Sequence, residues 1–136
     1  MQSNLVILPK KYGNDFYEFC QLNPQSCPLI ASSDTLGDFS HKMLGEDIDI
    51  RTDVPLYCIY KNGILEQEVN NIQDIWVENF VAFLLGCSFS FEEALIAAGI
   101  EIRNISEAKN VPMYKTNIDT QGVAQFTGKM VVSMVL

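Results

Sequence analysis

The stretch that decides the fold is DIWVENFVAFLLGCSFSFEEALIAAGIEIRNISEAKNVPMYKTNI, residues 74–118. Its first twelve residues are apolar on nearly every side, with Asp74 as a candidate N-cap and Gly86 as a stop. This pattern predicts a buried helix. Twelve residues are too few to cross a bilayer, which takes about 20. The segment is therefore expected to lie in the protein core.

A second helix is predicted to begin directly after the first. Ser90 followed three residues later by Glu93 has the pattern of a capping box. Cys87, Ser88 and Ser90 then lie between a buried helix end and a helix N-terminus, where backbone donors favour an anion. In a purely structural interpretation the same residues are a cap, a turn residue and a small packed thiol. The spacing alone leaves both interpretations open.

The chain has the size and apolar content of one domain. It has 136 residues and a net charge of −8, with no basic patch or arginine-rich arm, so nucleic acid and membrane are not expected partners. The four cysteines have no CxxC spacing and the single histidine is His41, so neither a metal site nor a cofactor is expected. Because no signal peptide is recognisable, a cytoplasmic location with reduced thiols is predicted, with the mitochondrial matrix as the alternative.

Both ends of the chain are apolar and strand-like. Residues 4–8 read NLVIL and residues 130–136 read MVVSMVL. Core strands at the extreme ends are unusual in a self-contained domain, whose ends tend to be polar and exposed. The chain is therefore expected to be a piece of a longer protein.

Predicted helices and strands are mixed along the remaining chain. Lys10–Leu22 has the apolar spacing of an amphipathic helix, and the Asn62-Gly63 dipeptide predicts a hairpin turn. The predicted extended segments are residues 5–8, 27–30, 56–60, 64–69, 100–105, 110–118 and 130–135, the last of them buried. Residues 31–49 are expected to form a polar loop and residues 119–128 a turn region. The mixture predicts an α/β fold with a mixed sheet and packed helices.

Two further groups of polar residues are candidates for ligand binding. Arg51 precedes a predicted strand, where its planar fork suits a carboxylate, although a surface ion pair with Asp53 is the alternative. The second group is a run of hydrogen-bonding side chains in one strand-like segment: Asn110, Tyr114, Thr116 and Asn117. These side chains would either orient a small polar ligand or satisfy loop backbone.

Five strings along the chain carry a family resemblance. In order they are NLVILP (4–9), RTDVP (51–55), FLLGCSFSFE (83–92), NVPMYKTN (110–117) and MVVSM (130–134). Together they resemble the hydro-lyase family that includes D-glutamate cyclase, and they cover essentially the whole chain. Members of that family are longer at both ends, and this chain has Val135-Leu136 where the family pattern continues with Arg-Pro. The resemblance implies one incomplete domain over residues 1–136, within a larger α/β fold of two subdomains.

The resemblance also implies a chemistry. D-glutamate cyclase closes D-glutamate to 5-oxo-D-proline with loss of water, which requires proton transfer and stabilisation of an oxyanion. On this basis Glu92 is the candidate proton-transfer group, with Cys87 and Ser88 beside it as catalytic candidates. A first-turn acid that only favours the helix dipole is the alternative for Glu92. The substrate-binding candidates are Ser90, Arg51, Asn110, Tyr114, Thr116 and Asn117.

The partner implied by the resemblance is a small carboxylate or amino acid. Neither a metal nor a cofactor is implied, and assembly into a homo-oligomer is a further expectation. The alternative function is an inactive fragment, or a module that binds a small carboxylate without turnover.

Overall fold

The computed structural model describes residues 3–40 and 44–133, without the side chains of residues 89–91. In chain order its elements are β1 (Ser3–Pro9), α1 (Lys10–Leu22), β2 (Leu29–Ser32), β3 (Tyr57–Lys61), β4 (Ile64–Val69), a 3-10 turn (Gln73–Ile75), β5 (Phe80–Gly86), α2 (Phe89–Ala97), α3 (Arg103–Ser106), β6 (Met113–Asp119) and β7 (Lys129–Ser133). Helices and strands are mixed along the chain as expected, which confirms the α/β class. The ladders between the described strands are all antiparallel, so within the described residues the predicted mixed sheet is an antiparallel one. The larger fold of two subdomains stays a prediction.

β5 is the middle strand of a three-stranded sheet with the order β1–β5–β2. β1 pairs with β5 in antiparallel register from Ser3↔Gly86 to Pro9↔Phe80. β2 pairs antiparallel with the other edge of β5. β1 and β2 therefore run parallel to each other on either side of β5, and α1 connects them. This is a split βαβ unit.

The helix predicted over residues 74–85 is wrong, since this segment contains the 3-10 turn and most of β5. A short, continuous apolar run is typical of a buried helix and of a central strand, because both are covered on all sides. Ile75 and Val77 of this segment are exposed, whereas Ala82, Phe83 and Leu84 are buried, as the apolar pattern predicts. Their pairing partners on the two edges decide in favour of a strand.

α1 covers one face of this sheet, and its predicted bounds are confirmed. Phe16, Phe19 and Cys20 are buried against Phe83 of β5. The rings of Phe16 and Phe83 meet edge to face with centroids 4.9 Å apart. The apolar spacing in the helix therefore does form the core.

The segment between β2 and β3 lies against the opposite face of the sheet. Ile50 is buried there, and it shares a cavity with Leu5, Ala82 and Leu84. The cavity has a volume of about 10 Å³, which is room for a single water molecule. The Tyr57 hydroxyl donates to the Ile50 carbonyl oxygen at 2.8 Å and fixes the segment before β3.

Two antiparallel hairpins, β3–β4 and β6–β7, complete the described fold. The predicted turn at Asn62-Gly63 is confirmed, with φ values of 52° and 76° as a type I′ turn requires. The strand predicted at residues 100–105 is wrong, because these residues lead into the short helix α3. β7 forms as predicted up to Ser133, but Val131 and Val132 are exposed rather than buried.

Some predicted features lie outside the described residues: His41 and the last three residues, 134–136. Within residues 3–40 and 44–133, helices are too short or too polar to cross a bilayer.

Candidate functional site

The predicted catalytic residues lie where β5 ends and α2 begins. The Gly86 amide donates to the Pro28 carbonyl oxygen at 2.8 Å. A Cβ at position 86 would lie 3.1 Å from Cγ of Pro28, so the end of β5 packs closely against the residue before β2. Cys87 and Ser88 follow, each partly buried, and α2 begins at the next residue. They form a two-residue corner between a strand and a helix.

The capping box predicted at Ser90 is wrong, because α2 begins at Phe89 and Ser90 lies within its first turn. The loop before the helix is shorter than expected, because α2 already begins at Phe89. Ser88 occupies the N-cap position with φ −59° and ψ −25°, and its side chain makes no capping hydrogen bond. The first amides of a helix have no partner inside the helix, so these donors face the corner. The Ser90 side chain lies outside the described part.

Glu92 has the most unusual environment of the predicted residues. It is 8% exposed. Its Oε1 atom is fully buried and has no hydrogen-bond partner in the described part of the chain. A buried oxygen without a donor is unfavourable, by about 1–3 kcal/mol and more for a charged group. Such groups are uncommon in native proteins, and local strain, a catalytic role or an ordered water or ion is the usual explanation. The first turn of α2 also places Glu92 near the positive end of the helix dipole.

Arg51 is engaged by a carboxylate of the protein itself. Its Nε and Nη2 atoms donate to the two carboxylate oxygens of Asp49 at 2.9 and 2.7 Å. These bonds lower the pKa of Asp49 and raise the pKa of Arg51. The guanidinium also lies over the Phe39 ring, 3.5 Å from its centroid. A substrate carboxylate would therefore have to displace Asp49 from Arg51.

The alternative prediction for Arg51, an ion pair with Asp53, is wrong, because Arg51 pairs with Asp49. Asp53 instead accepts a hydrogen bond from the Asp49 amide at 2.8 Å. It also accepts one from the Thr52 hydroxyl at 3.0 Å. The segment that contains Arg51 is therefore a turn held together by its own carboxylates.

The polar candidates before and within β6 occupy different environments. Thr116 Oγ1 donates to the Met130 carbonyl oxygen at 2.8 Å, so this hydroxyl satisfies backbone of the hairpin. Asn110, Tyr114 and Asn117 are exposed. In the described ranges no hydrogen bond connects these four candidates with Glu92, Cys87 or Arg51. Cys87 and Ser88 lie between β5 and α2, and Glu92 lies in the first turn of α2. The roles of these residues and of the other candidates stay predictions.

A second buried oxygen without a partner was not predicted from the sequence. The Asn104 Oδ1 atom, in α3, is buried and has no hydrogen-bond partner among the described residues. The sequence signal is a single asparagine between Arg103 and Ile105, in a segment interpreted as a strand. Nothing in that pattern separates it from a surface residue.

The cavities lie away from the predicted residues. A cavity of about 320 Å³ opens between the residues after α1 and the β6–β7 hairpin. Its volume is in the range of small-ligand sites, yet none of the predicted site residues lines it. Across residues 3–40 and 44–133, no group of three or more His, Cys, Asp or Glu side chains is placed to hold a metal ion.

Comparison with known proteins finds one family model that matches the C-terminal part of the chain and relatives that are similar over nearly all of it. Residues 81–136 match the family model described as D-glutamate cyclase. The chain is 54% identical over 134 residues to a protein named "putative hydro-lyase" from Verminephrobacter eiseniae, covering 98% of this chain and 48% of that protein. A relative of the same name from Shewanella woodyi is 50% identical, with 98% and 49% covered. One from Thermoanaerobacter pseudethanolicus is 53% identical, with 98% and 50% covered.

The chain thus spans about half the length of the curated relatives it matches. Similarity over almost the whole of this chain confirms the resemblance drawn from the five strings.

Proposed function

We propose that this chain, as a relative of the D-glutamate cyclase family, removes water from a small carboxylated amino acid, with D-glutamate as substrate and 5-oxo-D-proline as product. The observation that carries the proposal is the buried Oε1 of Glu92, which has no donor among the described residues. An N–H group of a substrate would supply that donor. The similarity to hydro-lyases and to the D-glutamate cyclase family supports this class of reaction.

Glu92 would transfer the protons of the reaction. Its carboxylate takes a proton from the substrate ammonium, and the resulting amine attacks the side-chain carboxyl carbon. The new C–N bond closes the ring and leaves a tetrahedral oxyanion. The nitrogen loses two protons in all, and both leave with one side-chain oxygen as water when the C–O bond breaks.

The corner before α2 would stabilise the oxyanion. Backbone amides at a helix N-terminus suit a developing negative charge. Ser88 adds a hydroxyl that makes no capping hydrogen bond, and Cys87 lies beside it. Binding of the rest of the substrate by Ser90, Arg51, Asn110, Tyr114, Thr116 and Asn117 stays a prediction.

Binding of a small carboxylate without turnover is the second candidate function. It is favoured by the cavity of about 320 Å³ beside the β6–β7 hairpin, which has the volume of a small-ligand site and is not lined by Glu92, Cys87 or Ser88. A homo-oligomer stays a prediction. For the location we propose the cytoplasm, since the relatives named above come from bacteria, which have no mitochondrial matrix.

The test measures release of 5-oxoproline from D-glutamate by this chain and by two variants. Glu92→Gln removes the buried carboxylate and is expected to lower the rate by about 100-fold or more. Glu93→Gln is the matched control, because Glu93 is the exposed neighbour in the same helical turn, and its rate should equal that of the parent.

Calorimetric binding of D-glutamate to the same three proteins completes the experiment. Equal rates in the two variants would remove Glu92 from the mechanism. Binding without turnover in the parent chain would support the second candidate function. If the parent chain neither binds D-glutamate nor turns it over, the proposal is wrong.

A further inference from the structure

Two cysteine side chains meet where α1 ends and the chain turns toward β2. Cys20 belongs to the buried core cluster and is 1% exposed, and Cys27, which is partly buried, packs against that cluster. The Cys20 thiol donates a hydrogen bond to the Cys27 sulfur. Cys58, in contrast, is exposed and donates its thiol to a carboxylate oxygen of Glu68 at 3.8 Å. Cys20 and Cys27 therefore form a thiol pair within the fold.

Backbone hydrogen bonds hold the turn that connects the two cysteines. The Asn23 amide donates to the Cys20 carbonyl oxygen at 3.2 Å, and the Cys27 amide donates to the Asn23 carbonyl oxygen at 2.9 Å. Asn23 is buried, and its side chain donates to the Phe19 carbonyl oxygen at 2.8 Å. The contact between the two thiols is therefore built into the folded turn.

The two thiols differ in their access to solvent. Burial and the neighbouring Cys27 raise the pKa of the Cys20 thiol to about 11. Burial also raises the pKa of Cys27, and the hydrogen bond from Cys20 partly opposes that rise. The thiolate is the reactive form of cysteine, so both residues react more slowly than a free thiol near neutral pH. Because solvent reaches only Cys27 of the two, a small oxidant meets its sulfur first.

We propose that Cys20 and Cys27 are an oxidation site, at which a peroxide converts the two thiols into a disulfide. The Cys27 thiolate attacks one oxygen of hydrogen peroxide and breaks the O–O bond, which gives a sulfenic acid and, after proton uptake, water. The Cys20 sulfur then attacks the Cys27 sulfur, and the S–O bond breaks as hydroxide leaves and takes the Cys20 proton. Two thiols and one peroxide thus give one disulfide and two water molecules, and two electrons pass from sulfur to oxygen.

Formation of the disulfide would move the segment that leads into β2. An S–S bond is about 2.05 Å long, well inside the contact distance of two hydrogen-bonded thiols, so one sulfur has to move. Cys20 is fixed in the core by α1, whereas Cys27 lies in the turn. Pro28 follows Cys27 directly, and its carbonyl oxygen accepts the Gly86 amide at the end of β5. Oxidation should therefore loosen the contact between Pro28 and Gly86, next to the corner before α2.

The test treats the folded parent chain with hydrogen peroxide and maps its cysteines by mass spectrometry of peptides. A disulfide between Cys20 and Cys27 is expected, and a dithiol reductant should reverse it. Cys27→Ser should abolish this disulfide and leave Cys20 reduced, because solvent does not reach Cys20. Cys58→Ser is the matched control, since it removes an exposed thiol elsewhere, and it should form the disulfide at the parent rate.

Hydrogen exchange of backbone amides reports both the fold and the effect on β5. Exchange of the Gly86 amide should accelerate by about tenfold or more in the oxidised parent chain and return after reduction. Protection of the remaining β5 amides shows whether each protein is folded, and the mapping in the parent chain does not depend on either variant.

Three results would contradict the proposal. The disulfide could form in urea but not in the folded chain, which would mean that the fold holds the two sulfurs apart. Peroxide could oxidise Cys27 to the sulfinic acid while Cys20 remains a free thiol, which would remove Cys20 from the reaction. An unchanged Gly86 exchange rate in the disulfide form would overturn the coupling to β5, although the oxidation site itself would be sustained.

Discussion

Asp49 is the residue around which the turn before β3 is folded. Its carboxylate accepts three side-chain hydrogen bonds from Nε and Nη2 of Arg51, and it also accepts one from the Arg51 amide at 2.9 Å. These bonds favour the charged carboxylate and lower the pKa of Asp49 from its ordinary value of 3.8. Asp49 and Asp53 are each two residues from Arg51, so sequence spacing does not distinguish the true partner. The fold of the turn, which places Asp49 beside the Arg51 side chain, decides which carboxylate is the partner.

Asp49→Asn should destabilise the protein modestly and in a pH-dependent way. The Arg51 and Asp49 side chains remain 21% and 26% exposed, so solvent screens the pair and the loss should not exceed about 1 kcal/mol. Because the folded-state pKa is lowered, the stabilisation is complete above the unfolded pKa of 3.8. It is lost as the pH falls through the lower folded-state pKa.

Urea unfolding of the parent and of Asp49→Asn at a series of pH values checks this. The difference in unfolding free energy should be constant near neutral pH and shrink as the pH falls below 3.8. Asp34→Asn is the control, since Asp34 is an exposed carboxylate, and it should show little difference at any pH. A difference for Asp49→Asn that does not change with pH would contradict the ion pair.

At the scale of elements, β5 shows that local sequence predicts burial but not secondary structure. The apolar run correctly predicts that Ala82, Phe83 and Leu84 are buried. Whether they are buried as a helix or as a strand depends on pairing with β1 and β2, and both strands are distant in sequence. α1 and the Asn62-Gly63 turn are predicted correctly because their signals are local. The error has a consequence at the site, where Ser90 moves from a cap into α2.

Two glycines in left-handed conformations should differ in how well they tolerate a side chain. Gly63 has a φ of +76° in the β3–β4 turn, and a Cβ there would meet nothing within 4 Å. Gly37 has a φ of +73°, but a Cβ there would lie 2.8 Å from the Glu78 Cα. Gly37 also donates to the Phe80 carbonyl oxygen at 2.8 Å, which ties its loop to the start of β5.

Gly63→Ala should therefore lower the free energy of unfolding by about 1–2 kcal/mol, which is the penalty of the left-handed conformation alone. Gly37→Ala should lower the free energy of unfolding by a further ~1–3 kcal/mol, because the backbone must move to relieve the clash. Thermal and urea unfolding of the two variants give the comparison, with Gly63→Ala as the matched control. Equal losses would show that the loop at Gly37 yields freely and does not hold β5.

At the scale of the whole molecule, Asn23 joins the sheet and α1 to the β6–β7 hairpin. Its Nδ2 donates to the carbonyl oxygens of Phe19 and Gln121 at 2.8 and 2.9 Å, and its Oδ1 accepts the Gln121 amide at 2.8 Å. The Phe126 ring also packs against the Phe16 ring of α1, with the ring centroids 5.2 Å apart. In the sequence, Asn23-Pro24 predicts only the end of a helix. A contact between residues 98 positions apart leaves no local signal.

Asn23→Ala should loosen this junction before the rest of the fold. The substitution leaves the backbone amide and carbonyl of Gln121 without their partners, at a cost of about 2–4 kcal/mol. Hydrogen exchange of the Gln121 amide should then accelerate by an order of magnitude or more relative to amides of β5, because the loop can open while the sheet remains closed.

Asn79→Ala is the control. It truncates an exposed asparagine and should change the exchange rate neither of the Gln121 amide nor of the β5 amides. Equal acceleration at Gln121 and in β5 would mean that the hairpin and the sheet unfold as one unit, and that Asn23 stabilises the whole molecule rather than one junction within it.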